Sequence, residues 1–266
     1  MTAPRLIATD LDGTVVRSDF TVSERTVAAF ARVERAGAVL VLVTGRPPRW
    51  MRSVADAMAH RGVAICANGA IVYDLHTERV IDTHLISVEA LGAAVERLKE
   101  ALPGLGFAVE HGDGLVYAHD YERAYWDSAV PEHPVALGEL VSRPAAKLLA
   151  RHPELDADML LARAAALVGD VVRPTHSNGR RLIEMSALGV TKASTLAELC
   201  AQNGIMPADV VAFGDMPNDL PMLTWAGRSY AVANAHPDVL AAVDFKVAGN
   251  DDDGVAHALE VLFPEP

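Results

Sequence analysis

Two carboxylates stand one residue apart in the segment Ile7-Ala8-Thr9-Asp10-Leu11-Asp12-Gly13-Thr14. The apolar residues before Asp10 predict a short buried strand at about 6–9, and Gly13 marks the point where the chain turns away from the sheet. Ligands of open α/β sheets bind at the carboxyl ends of the strands. The segment therefore predicts a functional site at a strand end, although an ordinary Asp-rich turn explains it equally well when it is considered alone.

The first and last thirds of the chain alternate strand and helix patterns. The first third predicts strands at 6–9, 39–43 and 63–67 and helices at 23–36 and 48–60. The last third predicts helices at 191–203, 217–225 and 253–262 and strands at 210–213 and 230–233. This order implies right-handed crossovers and a parallel sheet with helices on both faces.

The pattern changes between residues 85 and 187. A helix at 88–101 precedes two β-like pieces, 107–110 and 115–118, which His111-Gly112-Asp113-Gly114 joins as in a hairpin. A second helix at 156–168 precedes strands near Val171 and Leu182. We therefore expect an α/β fold with a Rossmann-like parallel sheet core, made of residues 1–84 and 188–266, and an inserted α+β cap domain, residues 85–187, that covers the site.

Composition limits the classes of function. The chain has 266 residues, of which 51% are hydrophobic, so it can bury the cores of two domains. Its net charge of -12 argues against nucleic acid or an anionic membrane as the main partner. The longest apolar stretch, 36–43, is too short for a membrane span, and no signal peptide pattern precedes Asp10, so we expect a cytoplasmic protein. Cys66 and Cys200 have no partners at metal-ligand spacing and are expected to be buried.

Three further motifs stand at or after the ends of predicted core elements. Thr44-Gly45-Arg46 follows strand 39–43, Gly214-Asp215-Met216-Pro217-Asn218-Asp219 follows strand 210–213, and Lys192 opens a helix after Gly189-Val190. Singly, each has an ordinary explanation as a turn, a solvated lysine or a helix cap. Because a parallel sheet brings these strand ends to one edge, their joint occurrence favours a phosphoryl-transfer site.

The four motifs, in this order and spacing, resemble the haloacid dehalogenase (HAD) superfamily of aspartate-nucleophile phosphohydrolases, and within it the Cof-type branch with a type IIB cap. Asp10 to Thr14 match the nucleophile motif, Thr44 the second motif, Lys192 the third and 214–219 the acidic fourth. Cys66-Ala67-Asn68-Gly69-Ala70 also resembles the segment that precedes this cap. The resemblance covers the whole core and the position and length of the insertion, without a departure at any catalytic motif position.

This resemblance implies a Mg²⁺-dependent phosphatase for small phosphorylated metabolites, such as sugar phosphates or cofactor phosphates. Asp10 would attack phosphorus to form an aspartyl phosphate, and Asp12 would protonate the leaving oxygen and then deprotonate water. The resemblance implies the catalytic residues Asp10, Asp12, Thr44 and Lys192. The phosphate- or substrate-binding residues would be Thr44, Gly45, Arg46, Asn68, Lys192 and Asn218. Mg²⁺ would be held by the Asp10 carboxylate, the Asp12 carbonyl and Asp215, with support from Asn218 and Asp219.

Several alternatives stay open at this point. Asn68 suits a turn as well as a substrate pocket, and Arg46 is similarly open. In the insertion, Arg180, Arg181 and Glu184 are open between facing the substrate and being solvated, as exposed charges on a cap strand usually are, and they are not assigned to the site. A phosphomutase or a noncatalytic metabolite-binding protein on the same scaffold are the alternative functions, whereas a dehalogenase would not need the second acid, Asp12. The sequence does not determine the substrate or the oligomeric state.

Overall fold

Two β-sheets organise the chain, which the computed structural model describes over residues 3–57, 62–122, 133–176 and 181–265. The strands are β1 (Leu6–Thr9), β2 (Val39–Val43), β3 (Val63–Cys66), β4 (Ile71–Asp74), β5 (Arg79–Thr83), β6 (Gly106–Glu110), β7 (Leu115–Tyr117), β8 (Lys147–Arg151), β9 (Val172–Thr175), β10 (Leu182–Ala187), β11 (Val210–Gly214), β12 (Arg228–Val232) and β13 (Phe245–Val247). The helices are α1 (Glu24–Arg35), α2 (Arg52–Ala57), α3 (Val88–Ala101), α4 (Leu137–Leu140), α5 (Ala157–Val168), α6 (Lys192–Gln202), α7 (Leu220–Trp225), α8 (Pro237–Ala242) and α9 (Gly254–Leu262).

The larger sheet places β1 at its centre. Its strand order is β13-β12-β11-β1-β2-β3-β4-β5, and the pairs from β13 to β3 are parallel. The residues of β1 and β11 are buried throughout, which is typical of parallel strands that are covered on both faces. The carboxyl ends of β11, β1 and β2 consequently lie side by side at one edge of the sheet.

The smaller sheet is antiparallel, with the strand order β7-β6-β8-β10-β9. One face packs on α3 and α5 through a hydrophobic cluster that is separate from the cluster around the larger sheet. An α/β core with a second α+β layer is therefore confirmed. The boundaries 1–84, 85–187 and 188–266 stay a prediction.

The sequence patterns missed the strands β4, β5, β8 and β13 and the short helices α4 and α8. β4 and β5 add an antiparallel hairpin to the parallel sheet, and all five residues of β5 are exposed, so β5 shows no apolar alternation. β13 has three residues. The helix expected at 48–60 is instead a single 3₁₀ turn, Pro48–Trp50, followed by α2, and residues 58–60 lie outside the described residues.

Both cysteines are buried and free, as expected from the sequence. Within the described ranges of the chain, none of the helices combines the length and apolar character needed to span a membrane. The cytoplasmic location stays a prediction.

The start of α6 is fixed by a capping box and by a close backbone approach. The Thr191 and Ser194 side chains each accept a hydrogen bond from the other residue's amide, so the helix begins at Lys192. Gly69 has φ +108°, and a Cβ atom there would lie 2.4 Å from the Thr191 carbonyl oxygen. The Thr195 hydroxyl donates a 2.8 Å hydrogen bond to the Gly69 carbonyl. The absence of a side chain at Gly69 therefore lets the first turn of α6 pack against the segment after β3.

We expect Gly69→Ala to lower the free energy of unfolding by at least about 3 kcal/mol, because it adds a backbone clash with Thr191 to the cost of a left-handed alanine. Gly37→Ala is the matched control: Gly37 has φ +79° with open space around it, so only the conformational cost of about 1 kcal/mol applies. Urea unfolding of both variants measures the difference. Equal losses of stability would contradict the close approach.

Candidate active site

Three strand ends and one helix start deliver the predicted site residues to one place. Asp10 follows β1, Thr44 follows β2 and Asp215 follows β11, so the three come from adjacent parallel strands. Lys192 is the first residue of α6. All four side chains are buried, and the convergence predicted from the strand ends is observed.

The Lys192 ammonium is the centre of a buried hydrogen-bond network. Its Nζ donates to Asp10 Oδ1 at 2.5 Å and to Asp219 Oδ1 at 2.6 Å. Asp219 Oδ2 accepts two further bonds, from the backbone amides of Asp215 and Met216, each at 3.0 Å. Both oxygens of Asp219 are thus already engaged, and this residue fixes Lys192 and the loop after β11 in position.

Asp215 is positioned by the nucleophile segment itself. The Thr14 hydroxyl donates to Asp215 Oδ1 at 3.0 Å. Gly13 lies directly against the same carboxylate, because a Cβ atom at Gly13 would stand 2.4 Å from Asp215 Oδ2. Sequence reasoning assigned no role to Thr14, although a hydroxyl two residues after Asp12 is a candidate partner for a carboxylate at a neighbouring strand end.

Three buried carboxylates face one ammonium group at this point. Oxygen atoms of Asp10, Asp215 and Asp219 all lie within 4.8 Å of one another. Burial and the neighbouring carboxylates raise the pKa of Asp10 to about 7, against the opposing charge of Lys192, and raise that of Asp215 to about 9. The oxygen donors and the excess of negative charge fit a hard divalent cation, which would favour the ionised form of these groups.

Asp12 occupies a different environment from Asp10. Its side chain is 51% exposed, and the Arg46 guanidinium holds it by two hydrogen bonds, from Nε at 2.7 Å and from Nη2 at 2.5 Å. This fork-like pairing fixes the direction of the carboxylate. Asp12 and Arg46 both border the cavity described below, so the structure places them beside the buried carboxylates but on the solvent side.

The loop after β2 is held by hydrogen bonds from within and from the smaller sheet. The fully buried Thr44 accepts a bond at Oγ1 from the Arg46 amide, at 3.0 Å. The Gly45 carbonyl accepts a 2.8 Å bond from Lys147 Nζ, which comes from β8. The predicted phosphate-binding segment, Thr44 to Arg46, is therefore in direct contact with the smaller sheet.

Two charged side chains of the smaller sheet extend this contact into a chain of four residues. Lys147 Nζ donates to Glu184 Oε1 at 2.8 Å, Asn68 Nδ2 donates to Glu184 Oε2 at 2.7 Å, and Asn218 Nδ2 donates to Asn68 Oδ1 at 3.0 Å. Burial alone would raise the pKa of Glu184, but the Lys147 charge and the hydrogen bonds hold it below its ordinary value. The Asn218 Oδ1 atom is buried without a partner among the described residues, so this amide can still accept a hydrogen bond.

Glu184 is buried rather than solvated: this residue is 6% exposed and borders the cavity described below. Arg181 is exposed and donates to the Pro153 carbonyl, and Arg180 lies outside the described residues. Lys147 was missed altogether. The sequence did contain a signal for both residues. Lys147 is the only charge in Ala145-Ala146-Lys147-Leu148-Leu149, and Glu184 is the only charge in Leu182-Ile183-Glu184-Met185. A lone charge in a buried strand requires a partner.

An ion pair also joins the two layers. Arg49 Nη2 lies 2.6 Å from Glu110 Oε2, and Glu110 is 2% exposed at the end of β6. The Arg49 guanidinium also lies over the Trp50 ring, 4.8 Å from its centroid. Neither Arg49 nor Glu110 was singled out from the sequence.

A cavity of about 950 Å³ lies between the two layers. Asp10, Asp12, Asp215 and Asn218 border it from the larger sheet, and Glu110, Lys147 and Glu184 border it from the smaller sheet. The arrangement gives a small molecule access to the Asp10 and Asp215 carboxylates, beside which Lys192 is buried, and this suits phosphoryl transfer.

Known proteins are similar to this chain in sequence and in fold over almost its whole length. The chain is 28% identical over 264 residues to the putative phosphatase YxeH of Bacillus subtilis (strain 168), covering 97% of this chain and 98% of that protein. It is 27% identical over 273 residues to the pyridoxal phosphate phosphatase YbhA of Escherichia coli (strain K12), covering 95% and 96%. The solved structure of the HAD subclass IIB sugar phosphatase BT4131 has the same fold, with a TM-score of 0.82 at 21% identity, over 97% of this chain and 98% of that one.

The family comparison agrees with the resemblance drawn from the four motifs. The profile of the haloacid dehalogenase-like hydrolases matches residues 7–259, a range that includes every predicted site residue. The predicted enzyme class, a hydrolase with phosphatase relatives, is confirmed. This chain belongs to the haloacid dehalogenase-like hydrolase family.

Proposed function

We propose that this hydrolase is a Mg²⁺-dependent phosphatase that cleaves phosphate monoesters of small metabolites through an aspartyl phosphate on Asp10. The observation that carries the proposal is the buried Asp10 carboxylate, which is held by Lys192 at the end of β1 beside Asp215. A carboxylate fixed in this way can act as a nucleophile without first losing a shell of water.

The first displacement uses Asp10 and Asp12. A carboxylate oxygen of Asp10 attacks phosphorus as the ester P–O bond breaks, and Asp12 gives a proton to the departing oxygen. Asp12 lies on the solvent side of Asp10 and is oriented by Arg46, so one oxygen must be released from this pair to carry the proton. The leaving group is then an alcohol, which does not compete with Asp10 for phosphorus.

The second displacement returns the enzyme to its starting state. Asp12 takes a proton from a water molecule, the water oxygen attacks phosphorus, and the bond to Asp10 breaks to release phosphate. Lys192 accompanies both displacements, because its bonds to Asp10 and Asp219 keep positive charge beside the transferring group. The Thr44 hydroxyl, which can donate to a phosphoryl oxygen, lies in the loop after β2 that would adjoin the phosphoryl group.

The metal assignment follows from the hydrogen bonds that each carboxylate already accepts. Asp10 and Asp215 would hold Mg²⁺ together with the Asp12 carbonyl, and bound Mg²⁺ would neutralise charge on the phosphoryl oxygens. Asp219 supports this site through Lys192 and the loop after β11, since both of its oxygens already accept hydrogen bonds. Asn218 supports it from the adjoining turn.

The relatives support small phosphorylated metabolites as the substrate class. One is named for pyridoxal phosphate and a structural neighbour for sugar phosphates, so we take cofactor phosphates and sugar phosphates as the candidates. Hydrolysis is preferred over mutase activity because these proteins are named phosphatases.

Asp10→Asn should lower kcat by at least about 10⁴-fold, because the amide oxygen is a poor nucleophile. The fold should persist, since the amide oxygen can still accept a hydrogen bond from Lys192. Phosphate release from a panel of phosphorylated sugars, nucleotides and cofactors, together with thermal unfolding, measures both effects. Asp170→Asn, at an exposed residue that pairs with Arg97, is the matched control and should leave turnover unchanged. Normal turnover by Asp10→Asn would exclude Asp10 as the nucleophile.

Asp215→Ala should raise the Mg²⁺ concentration required for half-maximal activity by at least about tenfold and lower the maximal rate as well, because it removes a charged ligand. A Mg²⁺ titration of phosphate release measures both. Asp113→Ala, on the exposed hairpin between β6 and β7, is the control and should titrate like the parent. An unchanged titration of Asp215→Ala would remove Asp215 from the metal site.

The affinity for Mg²⁺ should fall as the pH falls, and it should fall more steeply below pH 7 than above it. The pKa of Asp215 is raised to about 9 and that of Asp10 to about 7, so Mg²⁺ must displace protons from these groups at lower pH. Affinity should fall roughly tenfold per pH unit from 9 to 7, and by up to about 100-fold per unit below 7, where a second proton is displaced. Calorimetric titration between pH 5.5 and 9.5 measures the slopes. A constant affinity over this range would contradict the assignment.

A further inference from the structure

The smaller sheet turns an unusual face toward the cavity. Its other face packs on α3 and α5, and an antiparallel sheet of this kind commonly carries polar side chains on the opposite side. Here the opposite side instead forms a second hydrophobic cluster, made of Ala108, Leu115, Tyr117, Tyr121, Leu149 and Leu182. Strand register explains the grouping, since Leu149 pairs with both Ala108 and Glu184, and side chains two positions apart share a face.

Three leucines of this cluster form an apolar wall of the cavity. Leu115, Leu149 and Leu182 border it and offer no hydrogen-bonding groups. A polyhydroxylated leaving group placed against them would lose its hydrogen bonds to water without replacement, which is costly. A flat apolar ring would gain from the same contact.

The charged cap groups that border the cavity are already paired. Lys147 donates to Gly45 and Glu184, and both oxygens of Glu184 accept bonds. Both oxygens of Glu110 are also engaged, one by Arg49 and one by the Gly112 amide. Among the residues that the structure describes, these charges therefore join cap and core and are not left unpaired for sugar hydroxyls to satisfy.

An aromatic side chain completes the cavity from the core side. Phe20 borders the cavity with 84% of its surface exposed and with φ +68°, a conformation that is costly for a bulky residue. Its loop is anchored to the segment before α9, since Arg17 binds Asp253 at 2.7 Å and Ser18 binds Asp251 at 2.8 Å. The chain thus anchors the loop that carries this apolar ring at the mouth of the site.

Arg49 and Trp50 border the same cavity. Arg49 lies over the Trp50 ring, and its Nη1 atom is buried without a hydrogen-bond partner among the described residues. This atom can donate to an acceptor on a ring, such as a heterocyclic nitrogen or a hydroxyl oxygen. The exposed α2 side chains Arg52, Ser53 and Asp56 reach the cavity as well, at positions that are open to water.

From these contacts we propose that the preferred substrate is an arylmethyl phosphate, in which a flat aromatic or heteroaromatic ring carries the phosphate on a CH₂O group. The ring packs between the Leu115, Leu149 and Leu182 wall and the side chains of Phe20 and Trp50, and polar ring substituents face Arg49 and the open side. This assignment rests on the proposed phosphatase function and selects one of its two candidate substrate classes.

The test compares three esters whose leaving groups are all primary alcohols, so that ring contacts rather than leaving-group chemistry decide the result. Benzyl phosphate and pyridin-3-ylmethyl phosphate are compared with glucose 6-phosphate, at saturating Mg²⁺. The expected kcat/KM is at least about tenfold higher for the arylmethyl phosphates, a ratio within reach of an apolar pocket. An equal or higher kcat/KM for glucose 6-phosphate would overturn the inference while leaving the phosphatase function in place.

Phe20→Ala tests the aromatic contact without risk to the core, because Phe20 is exposed. It should raise KM for benzyl phosphate by roughly fivefold, with little change in kcat, and leave kcat/KM for glucose 6-phosphate within about twofold. Phe245→Ala, which removes a 47% exposed ring on β13 away from the cavity, is the matched control and should change neither substrate. Equal losses for both substrates in Phe20→Ala would overturn the ring contact.

The two levels of the proposal fail in different ways. Hydrolysis of other phosphate esters, without any of the arylmethyl phosphates, would overturn the substrate assignment alone. An absence of phosphate release from every ester of the panel would overturn the phosphatase function and this inference together.

Discussion

The buried ammonium of Lys192 is the interaction on which the rest of the site depends. It is bonded to Asp10 from β1 and to Asp219 from the turn after β11, so it connects the central strand with its neighbour. A buried charge is tolerated only when it is paired and hydrogen-bonded, and removal of a partner leaves the remaining charge uncompensated. The placement of α6 therefore matters as much as the carboxylates do, because the capping box and Gly69 decide where this ammonium stands.

Polar contacts between the two layers explain how an inserted layer can cover this site. Lys147, Glu184 and Glu110 leave the smaller sheet at one end and reach Gly45, Asn68 and Arg49 of the core. These bonds replace bonds to water and each involves a charged group, so their net contribution to holding the layers together is about 1.5–3 kcal/mol each. Contacts of this strength would suit the proposed enzyme, because a cover held in this way can exclude water while it is closed and still open for substrate and product.

The core of the site was predictable because its residues sit at strand ends that a β-α-β pattern defines. Asp10, Thr44 and Asp215 required only the strand boundaries and the parallel order of the sheet, whereas Lys192 opens α6 and was recognised from its place among the four motifs. The cap contribution was not predictable in the same way. Glu184 and Lys147 act through pairing across antiparallel strands, and β8 itself was missed, so there was no register from which to place them.

The sequence also did not predict which side chains pair with each other. Asp12 and Arg46 were recognised as candidates, but nothing in their spacing indicates that one holds the other. The ion pair depends on the direction in which the loop after β2 leaves the sheet. The same is true of Asp219, whose spacing from Asp215 suits a metal ligand, whereas its hydrogen bonds show a supporting position.

The two glycines beside the acidic cluster have an evolutionary consequence. A side chain at Gly13 would occupy the space of the Asp215 carboxylate, and one at Gly214 would meet the Asp219 carboxyl group. A descendant of this chain could therefore retain every acid and the lysine and still lose the proposed metal site through one added methyl group. When homologues are sorted into active enzymes and inactive descendants, these two empty positions should carry the same weight as the charged residues.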